Sequence, residues 1–325
     1  MEMDGIAQKL LARLQNGFPL TGEPFMELGN SLKTPEEEVI DRIRHFKNEG
    51  IIRQISPVFD ARSLGYRTTL VAMKVAQDRL EKAAQVIQRN PHISHGYERE
   101  HDCNLWVTLA VPGTDDIEAG MTKMGTEIPA ETIFQLPAIK LYKIGAFFGA
   151  DGGETNRAGI KTGGKLRPAA KLSPEDRVVV NEIQQDLPLK HRPFTAMAQG
   201  AGLDEERFLA RCRSLLARGI MRRYGAAVDH RRAGYTANAM VCWTVPAEQV
   251  DAMGEQLAAL REVSHCYERK TNPAWPYNLF AMIHGHDRET CYGIARKVSA
   301  GRGLPDFVTL FSSRELKKTR IKYLV

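Results

Sequence analysis

The chain has 325 residues, of which 43% are hydrophobic, so it is longer than one ordinary domain needs and can bury real cores. Lysine and arginine exceed the acidic residues by enough to give a formal charge of +6. This mild excess favours an anionic partner, either nucleic acid or a polycarboxylate, but it is also an ordinary means of keeping a surface soluble.

The cysteines and the apolar runs indicate a reduced, cytoplasmic environment. The five cysteines are scattered without a CxxC pair, which disfavours a disulfide framework or a zinc site. The N-terminus lacks the apolar run of a signal peptide, and no stretch approaches the ~20 apolar residues of a membrane span. We therefore expect a cytoplasmic protein that does not bind membranes.

An internal repeat covers nearly the whole chain. Gly50 matches Gly219 at a spacing of 169 positions (219 − 50), and His95 matches His265 at 170 (265 − 95). The segments NEGIIRQISPVFDARSLGY and ARGIMRRYGAAVDHRRAGY align without gaps. Because the repeated unit is much longer than a solenoid repeat, it predicts two copies of one module of several elements.

Each copy begins with short amphipathic helices. In the first copy, apolar residues have helical spacing over 7–14, and a longer helix follows with Thr34 as its predicted cap and Glu37 in the capping-box position. Gly50 is expected to end that helix before a strand begins. The second copy repeats this order up to Gly219. Three helices followed by a strand predict a winged helix-turn-helix.

The rest of each copy alternates strands and helices. In the second copy we expect strands over 236–245, 263–270, 277–284 and 304–314, with helices over 246–260 and from Asp287 to about Ala300. The order βαββαβ is the ferredoxin-like arrangement, an antiparallel sheet with helices on one face. The other face is left to meet a second sheet or a ligand.

The predicted fold class is therefore α+β, as a tandem duplication. The predicted winged helix-turn-helix domains span 1–62 and 172–231, the ferredoxin-like domains span 63–150 and 232–325, and a linker rich in glycine and charge spans 151–171.

Two clusters of polar side chains suggest a binding site. Alternation along a strand places His265, Tyr267 and Arg269 on one face, where a core strand would be apolar. The same pattern recurs in the first copy as His95, Tyr97 and Arg99. A dense cationic segment in the second copy contains Arg222, Arg223, Tyr224, His230, Arg231 and Arg232. Arginine suits bidentate carboxylate binding, although a solvated strand and turn is the alternative.

Aromatic residues and further histidines follow in the second copy. Trp275 and Tyr277 could line the wall of a flat ligand site or simply staple a hairpin. His284 and His286, near a strand end, could be ligands, but an exposed turn is the expected position.

A winged helix joined to a ferredoxin-like module resembles the Lrp/AsnC transcription regulators, which implies DNA binding with an amino acid as effector. The start of each presumed recognition helix is acidic, however, with Glu36, Glu37 and Glu38 in one copy and Asp204, Glu205 and Glu206 in the other. These carboxylates oppose the phosphate attraction that supplies most affinity for DNA, although Arg42 and Arg44 follow. We therefore do not expect nucleic acid as the partner.

The segments RRYGAAVDHRRAGY, SHCYER and WPYNLFAMIHG resemble the siroheme decarboxylases, and the first copy resembles that family's other type of subunit. The resemblance implies a fusion of both subunit types as a pseudo-dimer within one chain, and it leaves a further homodimer open. It implies removal of carbon dioxide from the C12 and C18 acetates of siroheme, for haem or nitrite-reductase haem. No separate cofactor is implied, because the iron belongs to the substrate. A haem-binding sensor without turnover is the remaining alternative.

For that chemistry, we expect His265 and His230 to act as the acid/base pair, with one of them a possible ligand to the substrate iron. The arginines are expected to hold carboxylates, and Tyr224 and Tyr267 to orient groups. The first copy departs from this pattern, since Ala61 matches His230, Gln54 matches Arg223 and Ile55 matches Tyr224, while Arg53 matches Arg222. The second copy is thus expected to supply the main pocket, with a role for His95 in a second pocket left open.

Overall fold

The structure is a computed structural model. It describes residues 4–145, 169–229, 236–304 and 306–323. Most of the predicted linker 151–171 lies outside these residues. So do three of the predicted site residues, His230, Arg231 and Arg232.

The first half contains five α-helices and six strands among its described residues. In chain order they are α1 (Gly5–Asn16), α2 (Pro24–Leu32), α3 (Glu36–Asn48), β1 (Ile52–Phe59), β2 (Tyr66–Lys74), α4 (Leu80–Arg89), β3 (Ile93–Arg99), β4 (Leu105–Pro112), α5 (Ile117–Glu127), β5 (Thr132–Leu136) and β6 (Ala138–Ile144).

The second half repeats this order. Its elements are α6 (Pro174–Ile183), α7 (Pro193–Gly200), α8 (Glu205–Ala217), β7 (Met221–Val228), β8 (Ala237–Trp243), α9 (Ala247–Ala259), β9 (Val263–Arg269), β10 (Leu279–Gly285), α10 (Arg288–Ala300) and β11 (Phe307–Lys318). The predicted order of three helices and a strand, followed by βαββαβ, is confirmed in both halves.

Local signals explain most of the helix ends. Asp287 accepts a 2.7 Å hydrogen bond from the Thr290 amide and so caps α10, as expected. Gly50 has a φ of +67°, a left-handed conformation that favours glycine after a helix. The prediction that Thr34 caps α3 is wrong, because Pro35 occupies the cap position and the Thr34 hydroxyl donates instead to the Leu32 carbonyl at 3.3 Å.

The two winged helix-turn-helix domains share one core. Apolar residues of α1, α2 and α3 pack in the same cluster as those of α6, α7 and α8. The wings also join, because β1 pairs antiparallel with β7 as a separate two-stranded sheet. These domains therefore form one fixed body from two halves.

The other strands form a single antiparallel sheet in which each half completes the other. Its order is β5-β2-β4-β3-β11-β8-β10-β9-β6. β11 pairs first with β8 of its own half and then with β3 of the other half. The last segment of the first half does the same on either side of Pro137. β5 pairs with β2 of its own half, and β6 then pairs with β9 of the other half. Because β5 and β6 lie at opposite ends of the order but are one segment, the sheet closes on itself.

Helices cover only the outer faces of this closed sheet. α4 and α5 pack on the strands of the first half, and α9 and α10 on those of the second. The crossing strands bring Leu316 into the first core and Tyr142 into the second. Gly254 of α9 makes room for this exchange, since a Cβ there would lie 2.6 Å from the Tyr142 ring. The inner faces of the two halves are thus left to face each other.

No helix in the described ranges combines the length and the apolar character that crossing a membrane requires.

Candidate functional site

Two matching strands line opposite sides of the interior. With β5 and β6 counted as one strand, β3 and β9 are four places apart in a ring of eight. The His265 and Tyr267 rings are nearly parallel at 6.5 Å, and Arg269 lies over the Tyr267 ring at 4.7 Å. The first half repeats this arrangement with His95, Tyr97 and Arg99. The prediction that each set shares one face of its strand is confirmed.

The two arginines of these sets bind the crossing strands. Arg269 donates a 2.9 Å hydrogen bond to the carbonyl of Leu136, and Arg99 donates one of the same length to the carbonyl of Leu310. Each arginine therefore reaches from one half to the last strand of the other. Arg99 is only 4% exposed, whereas Arg269 keeps an intermediate exposure.

The two ends of the interior differ in packing. Around the arginine end, a cluster that includes Trp106, Phe134 and Trp275 fills the space between the halves. At the histidine end, His95 and His265 lie on inner faces yet keep intermediate exposure. His95 and His265 therefore remain partly accessible at this end of the interior.

Each of these histidines is held through one ring nitrogen. Nδ1 of His265 lies 2.9 Å from the Ser264 hydroxyl, and Nδ1 of His95 lies 2.9 Å from the Ser94 hydroxyl. Within the described residues, neither Nε2 atom makes a hydrogen bond, so both are available to a ligand. His284 was expected in an exposed turn, which is wrong: it is 3% exposed, and its Nε2 lies 2.6 Å from the Ser264 hydroxyl.

The surroundings of the histidines are strongly cationic. Burial, followed by the charges of His95, Lys318, Arg223 and Arg269, lowers the pKa of His265 to about 3. Burial, followed by Lys318, Arg320 and Arg53, lowers the pKa of His95 to about 4. These imidazoles are therefore neutral at pH 7 in the empty protein, and a bound polyanion would raise their pKa values.

The predicted carboxylate-binding arginines already have protein partners. Arg222 forms a 2.8 Å ion pair with Asp60. Arg53 forms ion pairs of 2.6 and 2.8 Å with Asp229 and Glu315, respectively. A further guanidinium group, that of Arg223, donates a 2.6 Å hydrogen bond to the Gln15 carbonyl.

These ion pairs hold part of the cationic segment against the site. The charges of Arg269, Arg222 and Asp60 all act on the phenol of Tyr267, whose pKa is raised first by burial. From the wing strand β7, the charge of Arg222 thus acts on Tyr267 and that of Arg223 acts on His265.

Two predicted ligand contacts are wrong in position. Tyr224 is 2% exposed and packs edge-on against Phe18 in the shared helical core, so its ring faces that core and not the interior of the closed sheet. Trp275 is also 2% exposed, with its ring 5.0 Å from Trp106, so it fills the interior as core. Tyr277 packs on Trp275 at 5.1 Å and keeps partial exposure.

Sequence reasoning missed several residues of this site. Ser264 and Ser94 precede their histidines in both copies, a repeat that could have been noticed. Lys318 and Arg320 had no such signal in the repeat. Lys318 pairs with His95, whereas the residue that pairs with His265 is the apolar Ile144, so the two halves differ at this position. The missed residues at the histidine end are Ser94, Ser264, His284, Lys318 and Arg320.

The acidic helix starts take part in ion pairs within the chain, one of them between the halves. His191 of the second half lies 2.8 Å from Glu36 and 3.0 Å from Glu37 at the start of α3. Glu205 at the start of α8 pairs with Arg192 at 2.5 Å. The helix ends that would approach DNA in a regulator are thus acidic and in part used within the chain.

Family models match both halves of the chain in the same order. An "AsnC-like ligand binding domain" matches residues 63–143 and 232–317. A "Siroheme decarboxylase NirDL-like HTH domain" matches residues 7–53 and 176–222. The fold and these matches therefore define a protein of two fused halves, each a helix-turn-helix domain followed by an AsnC-like ligand binding domain.

Relatives of full length carry the identification further. A siroheme decarboxylase of Hydrogenobacter thermophilus is 37% identical over 97% of this chain and 94% of its own length. A siroheme decarboxylase NirDL subunit of Paracoccus pantotrophus is 33% identical over 97% of this chain and 96% of its own length. The chain belongs to the siroheme decarboxylase family.

Solved structures agree with this assignment. The crystal structure of the siroheme decarboxylase NirDL has a TM-score of 0.73 at 34% identity and covers 98% of this chain and 94% of its own. A second structure of that enzyme, in complex with an iron-uroporphyrin III analogue, has a TM-score of 0.72 at 34% identity and covers 98% of this chain and 95% of its own.

Proposed function

We propose that this protein is a siroheme decarboxylase, which removes carbon dioxide from the C12 and C18 acetate groups of siroheme to give 12,18-didecarboxysiroheme. The observation that carries the proposal is the full-length similarity to siroheme decarboxylases, joined to a cationic interior that contains opposed histidines. A substrate with many carboxylates matches this surplus of positive charge, because each carboxylate offsets a buried cation.

The reaction needs a proton at carbon. Loss of carbon dioxide from an acetate side chain leaves an electron pair on its methylene carbon, which the conjugated ring can accept. That carbon then takes one proton and becomes a methyl group. A histidine next to the substrate is the side chain suited to give the proton near neutral pH.

His265 is the described residue best placed for this role. Its Nδ1 is held by Ser264, and its Nε2 remains available. Substrate carboxylates would raise its low pKa by offsetting the charges of Lys318 and Arg223. His230, the other member of the proposed acid/base pair, lies outside the described residues, and the same holds for Arg231 and Arg232.

The remaining polar residues of the interior would bind and orient the ring. Arg269 keeps partial exposure beside Tyr267 and can reach a carboxylate while it holds the Leu136 carbonyl. Lys318 and Arg320 supply further positive charge near His95. Iron arrives with the substrate, with His265 or His230 as its candidate protein ligand, and we propose no separate cofactor.

Location and assembly belong to the same proposal. The five cysteines are free thiols, which supports a reducing cytoplasm. The two halves form a pseudo-dimer within one chain, and we propose that this unit needs neither nucleic acid nor membrane for its activity.

Anaerobic incubation with siroheme tests the proposal. We expect a change in the absorbance spectrum on binding, followed by loss of two carbon dioxide units from the tetrapyrrole in mass spectrometry. A spectral change without loss of mass would instead support a haem-binding sensor, and no spectral change would contradict both.

Single variants test the assignment of residues. His265→Ala and His230→Ala should each slow the decarboxylation by about a hundredfold or more, as expected when a general acid is lost. His92→Gln is the matched control, since His92 is exposed just before β3 and has no part in the interior. Native rates in both alanine variants would refute the roles of these histidines.

A further inference from the structure

The wing strands β1 and β7 carry one arginine from each half at matching places. Arg53 and Arg222 match in the repeat, and each lies at a shift in the register of the β1–β7 pair. Each reaches an aspartate of the other half, because Arg222 forms a 2.8 Å ion pair with Asp60 and Arg53 forms one of 2.6 Å with Asp229. The two aspartates also match in the repeat. Up to this point the two halves are equivalent.

The equivalence ends at the crossing strands. In the first half, Glu315 of β11 pairs with Tyr97 of β3, and its carboxylate lies 2.8 Å from the guanidinium group of Arg53. In the second half, the residue that pairs with Tyr267 is the apolar Leu141 of β6. One arginine of the wing strands thus has two carboxylate partners, whereas its counterpart has one among the described residues.

Both residues of the crossing strands face the interior of the closed sheet. The next residues along the chain, Tyr142 and Leu316, pack in the outer cores under the helices. Because neighbouring side chains on a strand point to opposite faces, Leu141 and Glu315 point inward. The presence of a carboxylate in one half and an apolar side chain in the other therefore changes the charge of the interior itself.

A third guanidinium group, that of Arg62, joins the second-half set from the first half. It donates a 3.2 Å hydrogen bond to the carbonyl of Ala138, two residues after the Leu136 carbonyl that Arg269 binds. Burial lowers the pKa of Arg269 to about 10, and the charge of Arg62 contributes to this shift. The two cations therefore lie close together beside the crossing strand.

The cations around Tyr267 outnumber the carboxylates. Among the described groups whose charges act on this phenol or on Arg62, Asp60 is the one carboxylate. Within the same part of the chain, Nη1 of Arg222 and Nε of Arg269 are buried without a hydrogen-bond partner. A buried donor without an acceptor costs free energy, so an added carboxylate would be favourable here.

We propose that Glu315 is a specificity-determining residue, which supplies Arg53 with the carboxylate that Arg222 takes from the substrate. Arg62 and Arg269 complete the open subsite in the second half. The inference rests on the proposed function and deepens it, since it assigns one carboxylate side chain of the tetrapyrrole to this subsite. Guanidinium groups suit that ligand because their planar donors can bind both oxygens of a carboxylate.

Substitutions at Leu141 test the subsite, with iron-uroporphyrin III as a carboxylate-rich probe whose binding is followed by absorbance. Leu141→Glu copies the first half and should raise the Kd by about tenfold or more, because the new carboxylate pairs with Arg222. Leu141→Gln has the same shape without the charge and should stay within about threefold of the native Kd. Native affinity in Leu141→Glu, or an equal loss of affinity in both variants, would overturn the proposal.

A double variant tests the role of Glu315. Leu141→Glu combined with Glu315→Leu moves the open subsite to the first half, so it should recover most of the affinity that Leu141→Glu loses. Urea unfolding without the probe shows whether each variant is folded. A folded double variant that binds as weakly as Leu141→Glu would contradict the specificity role.

Turnover separates this inference from the proposed function. If the native protein binds the probe but does not decarboxylate siroheme, the proposed function is wrong, while the substitutions still test the subsite. If siroheme is decarboxylated but Leu141→Glu binds the probe with native affinity, the proposed function stands and the subsite is wrong.

Discussion

Acid should destabilise this protein through His284, which is buried without charge between the halves. Burial, followed by the charges of His265, Lys318 and Arg99, lowers the pKa of His284 from 6.5 to about 3. Below pH 6.5 the unfolded imidazole binds a proton that the folded one does not. The stabilisation is therefore complete above pH 6.5 and is lost as the pH falls from 6.5 to about 3.

The size of the effect follows from this interval. One imidazole in this situation changes the free energy of unfolding by about 1.4 kcal/mol per pH unit, which amounts to about 2.5 kcal/mol between pH 6 and pH 4. His284→Gln removes the titrating group and keeps most of the volume. In urea unfolding followed by circular dichroism, the native protein should lose about 2.5 kcal/mol more than His284→Gln over that range.

His191 provides the control, because its pKa is shifted upward whereas that of His284 is shifted downward. His191 is exposed, and hydrogen bonding and charge from Glu36, with a further charge from Glu37, raise its pKa. Its contribution is present at low pH and is lost as the pH rises, so His191→Gln should change the pH dependence in the opposite direction. Parallel stability curves for the native protein and His284→Gln would refute the reasoning about the buried imidazole.

Two further substitutions test the packing of the interior. Arg269→Met should lower the free energy of unfolding by about 2–3 kcal/mol in urea titrations, because the Leu136 carbonyl loses a charged donor. An unchanged urea midpoint would show that the stability of the crossing strand does not depend on this hydrogen bond. Trp275→Ala should cost about 3–5 kcal/mol in the same assay, as expected for a side chain that is 2% exposed. A loss of less than about 1 kcal/mol in the free energy of unfolding would contradict a core role for Trp275 and favour a role in lining the ligand site.

The order of helices and strands could be predicted from the sequence because its signals are local. Apolar spacing, the cap at Asp287 and the glycine after α3 all act within a few residues. Thr34 was misassigned because Pro35 itself occupies the position at which a cap side chain would act. The exchange of last strands between the halves could not be predicted, since pairing of β11 with β3 depends on contacts between distant segments.

The candidate site was predictable where the repeat made it visible. His95 and His265 stood out because strand alternation and recurrence both placed them on one face. Burial of His284 was missed because it depends on a neighbouring strand and on the bulge at Ser264. Tyr224 and Trp275 were assigned to a ligand because aromatic residues pack equally well in a core, and only tertiary structure separates the two roles.

The exchange of last strands has a consequence for synthesis on the ribosome. Arg99 at the end of β3 pairs with Ser312 of β11, which is translated 213 positions later (312 − 99). At 5–20 residues per second, the wait is roughly 10–40 s. During that time a nascent β3 has one open edge, the kind of surface that recruits strands from other polypeptides. Expression of the isolated first half should therefore favour aggregates, and the fusion of both halves ensures that the missing strand always follows on the same polypeptide.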